Sequence, residues 1–261
     1  MAVRAPLDPE ASLKRFAVVL LLGFAALPAP VYATGIALRW QSCEGVSNRN
    51  FACDRSTGSE LLVGSFDPPS GITQLSGIQV YLRVAAGAGA LPAWWQFRSP
   101  GSCRATSLSV GFEMSDQVEC EDPWSGQATG GLARYQVDGS SSAEMWLVAA
   151  VPQEAIGAVS SGRKYAAFKL LVNHQKSSGA GACVGCSTPM CIRFEAIRLV
   201  QPGTLHADGR RDEKYAEITQ GISGMGGNAN IATWQGGAAS CTAGGSKPAS
   251  WKQLKDLYRP R

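Results

Sequence analysis

The residues most able to do chemistry are cysteines, and three of the eight fall within nine positions. The stretch GACVGCSTPMC contains Cys183, Cys186 and Cys191. Thiols spaced this closely can bind zinc, carry out redox exchange or form disulfides. A structural zinc site needs four ligands, usually in two spaced pairs, and only Cys183-x2-Cys186 forms such a pair. A redox C-x-x-C motif opens a helix in a βαβ unit, a context that the flanking sequence lacks. Disulfides are therefore favoured, and neither a metal nor another cofactor is expected.

The N-terminal sequence also bears on the choice among zinc binding, redox exchange and disulfides, because it predicts the cellular compartment of the protein. Basic residues at positions 4, 14 and 15 precede the apolar run FAVVLLLGFAAL, whose 12 residues are too few to span a bilayer. The tripeptide VYA at 31–33 then resembles a cleavage site. These features predict a signal peptide over 1–33 and a secreted, periplasmic or cell-surface protein without a transmembrane segment. Its removal takes away three basic and two acidic residues, so the net charge falls from +4 to +3, too low to indicate a nucleic-acid partner.

Eight cysteines in an exported chain indicate a disulfide framework. They are Cys43, Cys53, Cys103, Cys120, Cys183, Cys186, Cys191 and Cys241. Spacing along the chain favours Cys43–Cys53 as a local loop and Cys103–Cys120 as a brace. Cys241 then has three possible partners. Because a Cys183–Cys186 bridge is geometrically tight, we expect Cys241 to join one of these two cysteines and Cys191 to join the other, which leaves no free thiol.

Side chains that could act as catalytic groups are few. No serine lies in a complete G-x-S-x-G elbow, and the two histidines, His174 and His206, have no assignable orienting partner. Glu119, Glu121 and Asp122 lie together, and paired carboxylates can hydrolyse glycosidic bonds. Neighbouring acids in a loop are also typical of a solvated surface. We therefore predict no catalytic residue, and a secreted glycoside hydrolase-like enzyme that uses these acids stays an alternative.

Aromatic residues give a hint of binding. Trp94 and Trp95 are neighbours in LPAWWQF, a segment whose composition predicts a strand. Successive side chains of a strand point to opposite faces, so one ring is expected in the core and the other on the surface. An exposed ring could stack on a sugar or contact a partner protein, whereas the alternative is a ring covered by a loop or by the C-terminal segment. Tyr81 is a further candidate for the same surface.

The elements that position these residues are predicted by apolar side chains that recur at every second residue. In SGIQVYLRV (76–84), Ile78, Val80 and Leu82 share one face and the polar residues share the other. The same pattern occurs at 106–112 and 164–174. Weaker candidate strands lie at 36–41, 61–66, 93–97, 143–151 and 191–200, and residues 152–159 are predicted to form a helix of at most two turns. Short strands separated by Gly, Pro, Ser and Asn predict an all-β fold, an antiparallel two-sheet sandwich or jelly roll over 34–205, braced by disulfides.

The chain changes character beyond this predicted domain. Residues 206–249 are polar and then Gly-rich, which is typical of a linker, although several apolar residues argue that part of the segment packs. Residues 250–261 begin with an S-x-x-Q capping box, and Trp251, Leu254 and Tyr258 then fall on one helical face. Basic residues cluster toward the end, where the helix dipole favours them. The pattern predicts a short basic amphipathic helix that docks on the body or on a partner, since so short a helix is marginal alone.

Several of these motifs together resemble exported β-sandwich proteins of environmental bacteria, a group with no known activity. The motifs are the signal peptide, SGIQVYLRV, LPAWWQF before a Gly-Ser-Cys turn, C-x-G-C before CIRF, and SWKQLKDLYR. The predicted architecture is also similar to carbohydrate-binding and cohesin-like sandwiches, a likeness of fold that names no ligand.

The sequence thus predicts an exported binding or structural surface protein without catalytic activity, whose partner is a glycan or a protein surface. One alternative is a carbohydrate-binding module with an exposed Trp platform at Trp94 or Trp95. The other is the hydrolase that uses the acidic loop.

Overall fold

The computed structural model describes residues 34–98, 100–204, 206–208, 212, 214–225, 228–236 and 241. Within these residues the regular elements are strands and two short 3-10 turns. The strands are β1 (Gly35–Trp40), β2 (Asn48–Arg49), β3 (Ser59–Asp67), β4 (Gln74–Leu75), β5 (Gly77–Ala86), β6 (Leu108–Gly111), β7 (Thr129–Asp138), β8 (Ser142–Ala150), β9 (Gly157–Ala158), β10 (Tyr165–Asn173), β11 (Met190–Gln201), β12 (Lys214–Ile218) and β13 (Ile231–Trp234). The predicted signal peptide and C-terminal helix lie outside the described residues.

Two large sheets and a two-stranded sheet of β4 and β9 make up the fold. A four-stranded sheet has the order β1-β3-β10-β6, and a seven-stranded sheet has the order β2-β13-β11-β5-β8-β7, with β12 also paired to β11. Strand pairs are antiparallel except for the short β13–β2 pair. The prediction of an all-β, disulfide-braced antiparallel sandwich is confirmed. Among the described residues no helix is long and apolar enough to cross a bilayer.

The core lies between the two sheets. Ile78, Val80 and Leu82 of β5 are buried there, as their alternation predicts. Phe168 of β10 and Phe194 of β11 meet with ring centroids 5.2 Å apart, so they join the four-stranded sheet to the seven-stranded one. Such edge-to-face pairs add to the burial of apolar area that stabilises the sandwich.

The predicted domain boundary at residue 205 does not interrupt the sheet. β12 and β13 both lie in 206–249 and pair with β11. A loop of the same segment covers the free edge of β1, since the Ile36 and Leu38 amides donate to carbonyls of Gln220 and Ala229 at 2.9 Å each. A polar and Gly-rich composition suggested a linker, yet backbone pairing holds these strands because it does not depend on side-chain polarity.

Two local predictions are wrong. Residues 93–97 do not form a strand, because Ala93–Trp95 is a 3-10 turn that follows Pro92, and the Trp95 amide donates to the Pro92 carbonyl at 2.9 Å. The segment 152–159, which was expected to be helical, contains only the 3-10 turn Gln153–Ala155 and then β9. β7 was missed although Tyr135 and Val137 alternate with polar residues, because an edge strand is only partly buried and its apolar signal is short.

Candidate functional site

All eight cysteines form disulfides, as predicted, but with other partners. The pairs are Cys43–Cys120, Cys53–Cys186, Cys103–Cys183 and Cys191–Cys241. The expected pairs Cys43–Cys53 and Cys103–Cys120 are wrong, and so is the preference for Cys241 with Cys183 or Cys186. The bridges join residues 50 to 133 positions apart, because loops distant in sequence meet at the ends of a sandwich. Among the described residues no group of three or more His, Cys, Asp or Glu side chains could hold a metal ion.

The stretch GACVGCSTPMC is therefore a junction of three bridges. Its cysteines go to three different parts of the chain: Cys183 to the loop before β6, Cys186 to the loop after β2, and Cys191 to the segment after β13.

Trp94 and Trp95 do not form an exposed platform. Their exposed fractions are 0% and 1%, so both rings lie in the core, and the prediction of one surface ring is wrong. The 3-10 turn removes the strand alternation that would have separated them. Both rings pack against Trp234, with centroid distances of 5.0 and 5.3 Å. The Trp94 indole donates to the Ser177 hydroxyl at 2.9 Å. Both tryptophans are therefore part of the hydrophobic core.

Arg104 completes this buried aromatic group. Its guanidinium carbon lies 3.4 Å from the centroid of the Trp94 ring, a close cation–π contact. The same guanidinium donates to the carbonyls of Trp94 and Asn173. Burial lowers the pKa of Arg104 to about 9. The buried guanidinium thus links the backbone at Trp94 to the backbone at Asn173.

The histidines occupy structural positions. His174 is buried, and its Nε2 lies 3.0 Å from the Glu60 carboxylate. His206 lies 3.0 Å from the Asp212 carboxylate on the surface. The sequence could not assign Glu60 to His174 because 114 positions separate them, whereas Asp212 lies only six positions after His206, in a polar stretch for which no element was predicted.

The acidic loop lines a shallow pocket of about 330 Å³ together with Glu44, Arg163 and Lys164. Glu121 pairs with Arg163 at 2.5 Å, and Glu44 pairs with Lys164. Asp122 accepts hydrogen bonds from the backbone amides of Trp124 and Gly126. The carboxylates of Glu121 and Asp122 are thus engaged by a cation and by backbone amides, respectively.

A cluster of polar and aromatic side chains lies on the face of the seven-stranded sheet that points away from the core. We call it the outer-face cluster: Tyr81 and Arg83 of β5, Glu144 and Trp146 of β8, and Glu195 of β11. Tyr81 and Trp146 are directly opposed across β5 and β8, and their ring centroids are 4.9 Å apart. Their exposed fractions are 1% and 3%, so Tyr81, like the tryptophans, is not an exposed binding residue.

Arg83 is the centre of this cluster. It donates to Glu144 at 2.7 Å, to the Tyr81 hydroxyl at 3.0 Å and to Asp138 at 2.9 Å, and it lies 3.8 Å from Glu195. Burial raises the pKa of Glu195, which occupies a β-bulge in β11. Burial, together with the Glu144 carboxylate, raises the pKa of Tyr81. Alternation in SGIQVYLRV placed Tyr81 and Arg83 on one face, but only the register of β8 and β11 brings the carboxylates to them.

A groove runs across one end of the same sheet. This sheet-end groove has a volume of about 610 Å³. Its floor and walls are mostly apolar and small, with Ile78, Val148, Ala150, Ile156 and Val200 among the lining residues. Hydrogen-bonding groups are contributed by Gln79, Thr129, Gln153, Gln201 and Asp212. Among the described residues that line the groove, none is aromatic or basic.

Comparisons with known proteins add little to this geometry. No protein-family model and no curated protein sequence matches the chain. Among solved structures it is similar to a cohesin module from a Clostridium perfringens family 33 glycoside hydrolase, with a TM-score of 0.29 and 7% identity, over 72% of this chain and 98% of the module. It is also similar to a DUF4466 family protein from Parabacteroides merdae, with a TM-score of 0.22 and 12% identity, over 72% of this chain and 46% of that protein. Neither similarity supports an inference about a ligand.

Proposed function

We propose that the protein is an exported binding module that holds an apolar segment of a partner protein in the sheet-end groove. The observation that carries this proposal is the composition of the groove, which combines small apolar side chains with a few amide and hydroxyl groups. Pockets of about 300–1,000 Å³ with this mixture are typical of binding sites. The apolar floor would bury a partner's side chains, and the amides would fix its orientation.

The same lining argues for a protein partner over the other ligand classes. A sugar ring is commonly held by stacking on an aromatic side chain, and none of the described lining residues is aromatic. An anionic ligand needs a basic group, and none of those described residues is basic. Apolar side chains of a peptide need neither, since the burial of their surface supplies the binding free energy.

Export is part of the proposal because of the covalent framework. Four disulfides are typical of a chain that folds in an oxidising compartment. The predicted signal peptide over 1–33 supports the same conclusion. Expression of the full chain with a reporter after residue 261 would test it, since cleavage near residue 33 and an extracytoplasmic reporter are expected, and a cytoplasmic, uncleaved product would contradict it.

The groove can be tested with a displayed library of random peptides selected on the disulfide-bonded protein. We expect the selected peptides to be rich in apolar residues and to bind about ten-fold more weakly, or worse, to Ala150→Trp, because the indole would fill the groove. Val118→Trp is the matched control, since Val118 is highly exposed and lies in the acidic-loop pocket. Equal binding to wild type and to Ala150→Trp would refute the groove.

A parallel incubation of the protein with insoluble polysaccharides tests the alternative function, that of a carbohydrate-binding module. The proposed protein-binding module should not be retained on these polymers. Retention that Ala150→Trp abolishes, without selection of any peptide, would overturn the proposal in favour of a carbohydrate-binding module.

A further inference from the structure

A short turn at the cysteine junction presents an exposed apolar side chain. We call it the Val184 turn, residues 183–186, and Val184 itself is 82% exposed. Cys183 and Cys186 are both bridged to other loops, and the Val184 carbonyl accepts a hydrogen bond from the Trp94 amide at 3.0 Å. The turn is therefore fixed before it meets a partner, so little conformational entropy is lost when Val184 becomes buried.

The surface beside Val184 is small and apolar. Ala93 and Ala182 are exposed there. Pro92 packs so closely on the turn that a Cβ added at Gly185 would lie 2.1 Å from the Pro92 Cβ. A valine with such neighbours can enter an apolar groove without carrying a charge into it.

Val118 shows why the neighbours matter. It is the other highly exposed valine among the described residues, with an exposed fraction of 88%. Its surroundings are charged, because it shares the acidic-loop pocket with Glu44, Glu119 and Arg163. Burial of Val118 against an apolar surface would desolvate these charges, so Val184 is the better anchor for an apolar partner.

The Val184 turn and the sheet-end groove lie at opposite ends of the seven-stranded sheet. Gly77 and Ile78, at the start of β5, line the groove. Ala86, at the other end of β5, is opposed to Met190, which begins β11 shortly after the turn. The 10 residues of β5 place these ends about 30 Å apart, so one copy cannot insert its own turn into its own groove.

The two ends also carry complementary charge. Lys176 is exposed, and its carbonyl accepts a hydrogen bond from the Cys183 amide at 2.8 Å, which places this lysine next to the turn. Asp212 is the one charged residue among the described residues that line the groove. Its side chain is 59% exposed although it pairs with His206. A lysine that arrived with the turn would therefore meet a carboxylate at the groove.

We propose that the partner held in the sheet-end groove is a second copy of this chain, which inserts its Val184 turn, so that copies associate head to tail. The inference rests on the proposed function, because the same groove receives the turn. Since the two surfaces differ, each added copy brings another groove and another turn, and the assembly grows instead of closing as a two-fold dimer. A turn of this size buries a small area, which makes the association weak and dependent on concentration.

Sedimentation equilibrium of the disulfide-bonded protein over a wide concentration range tests the proposal. The average mass should rise past that of a dimer as the concentration increases. Val184→Asp should weaken the association about ten-fold or more, because it would bring a carboxylate into an apolar groove beside Asp212. Ala150→Trp should have the same effect, because the indole fills the groove. Val118→Asp is the matched control and should assemble like the wild type.

A mixture of the two blocked variants tests whether two different surfaces meet. Val184→Asp keeps its groove and Ala150→Trp keeps its turn, so the equimolar mixture should form a heterodimer and grow no further. A carbodiimide cross-link between isotope-labelled and unlabelled copies should join Lys176 to Asp212. A wild-type protein that stays monomeric, a dimer that does not grow, or blocked variants that assemble like the wild type would each overturn the proposal.

The peptides selected on the groove separate this inference from the function on which it rests. They should compete with assembly, and they should bind Val184→Asp as tightly as the wild type. Peptide binding by a protein that stays monomeric would overturn head-to-tail association and leave the groove as a binding site. Absence of both assembly and peptide binding would refute the groove itself.

Discussion

At the scale of single residues, the buried polar side chains of this protein hold the fold together. Arg83 organises three carboxylates and a tyrosine on the outer face, and Arg104 joins two backbone carbonyls across a tryptophan ring. Buried charges are stable only where hydrogen bonds and counter-charges replace water. Arg83 meets that condition with anions, whereas Arg104 is held by carbonyls and a π face and its buried Nε has no hydrogen-bond partner among the described residues.

Arg104→Met should lower the free energy of unfolding by about 3 kcal/mol, because two carbonyls lose a charged donor and Trp94 loses its cation. Urea denaturation followed by tryptophan fluorescence measures the change. Arg163→Met removes an exposed arginine from its pair with Glu121 and should cost less than about 1 kcal/mol. Similar losses for both variants would contradict the role assigned to Arg104.

The stability of the protein should fall as the pH rises above about 10, the ordinary pKa of tyrosine. Burial raises the pKa of both Tyr81 and Tyr135 in the folded state. The folded protein therefore keeps protons that the unfolded chain releases, so this stabilisation is complete below pH 10 and is lost at higher pH. Thermal unfolding between pH 8 and pH 11, with tyrosinate absorbance, measures the effect.

Tyr81→Phe supplies the control for that pH dependence. Its unfolding temperature should decline less steeply above about pH 10 than that of the wild type, since one of the two buried hydroxyls is gone. A decline of the same slope in both proteins would show that Tyr81 does not contribute.

At the scale of elements, each strand's position in its sheet decides how deeply its side chains are buried. β5 and β11 lie in the middle of the seven-stranded sheet and are buried on both faces along most of their length, whereas β7 lies at an edge and is half-exposed. Edge strands need interruptions that discourage pairing with other chains. The bulge at Ala133 and the pair Gly130-Gly131 meet that need in β7.

Two strand glycines, Gly64 in the interior of β3 and Gly111 at the end of the edge strand β6, should respond differently to an added methyl group. A Cβ at Gly64 of β3 would lie 2.1 Å from the Phe168 ring, so Gly64→Ala must displace a core side chain and should cost about 1–3 kcal/mol. A Cβ at Gly111 of β6 would meet nothing within 4 Å, so Gly111→Ala should be neutral or stabilise by about 0.5 kcal/mol. Chemical denaturation measures the change in the free energy of unfolding of each variant, and equal changes would contradict this packing.

At the scale of the whole molecule, four bridges link parts of the chain that are far apart in sequence. Cys53–Cys186 closes the longest loop, with a separation of 133 residues, and Cys191–Cys241 closes the shortest, with 50. Because a disulfide restricts the unfolded chain, the longer loop should give the larger stabilisation, but only by a logarithmic margin.

Non-reducing peptide mapping should find Cys43–Cys120, Cys53–Cys186, Cys103–Cys183 and Cys191–Cys241, and thiol titration of the unfolded, unreduced protein should find no free thiol. Replacement of both Cys53 and Cys186 by alanine should lower the free energy of unfolding by about 4–5 kcal/mol, since a loop of this length is released. A map with Cys43 joined to Cys53, or a loss below about 1 kcal/mol, would contradict the framework described above.

The sequence by itself determined the local properties of this protein. Alternation in SGIQVYLRV predicted which side chains of β5 enter the core, and eight cysteines predicted a chain held by disulfides, because both signals depend on residue type and on neighbours in the chain. It also placed Tyr81 and Arg83 together on one face. The prediction of a strand over LPAWWQF, with one indole on the surface, was wrong because Pro92 starts a turn that lets both indoles face inward.

Only the tertiary structure decided what depends on distant parts of the chain. The disulfide partners, the carboxylates around Arg83 and the walls of the sheet-end groove all follow from strand order and register. The order β11-β5-β8 brings Glu195, Arg83 and Glu144 together although 61 and 51 residues separate Arg83 from Glu144 and Glu144 from Glu195. Contacts of this kind result from the packing of two sheets into one core, a property of the whole chain that no local pattern carries.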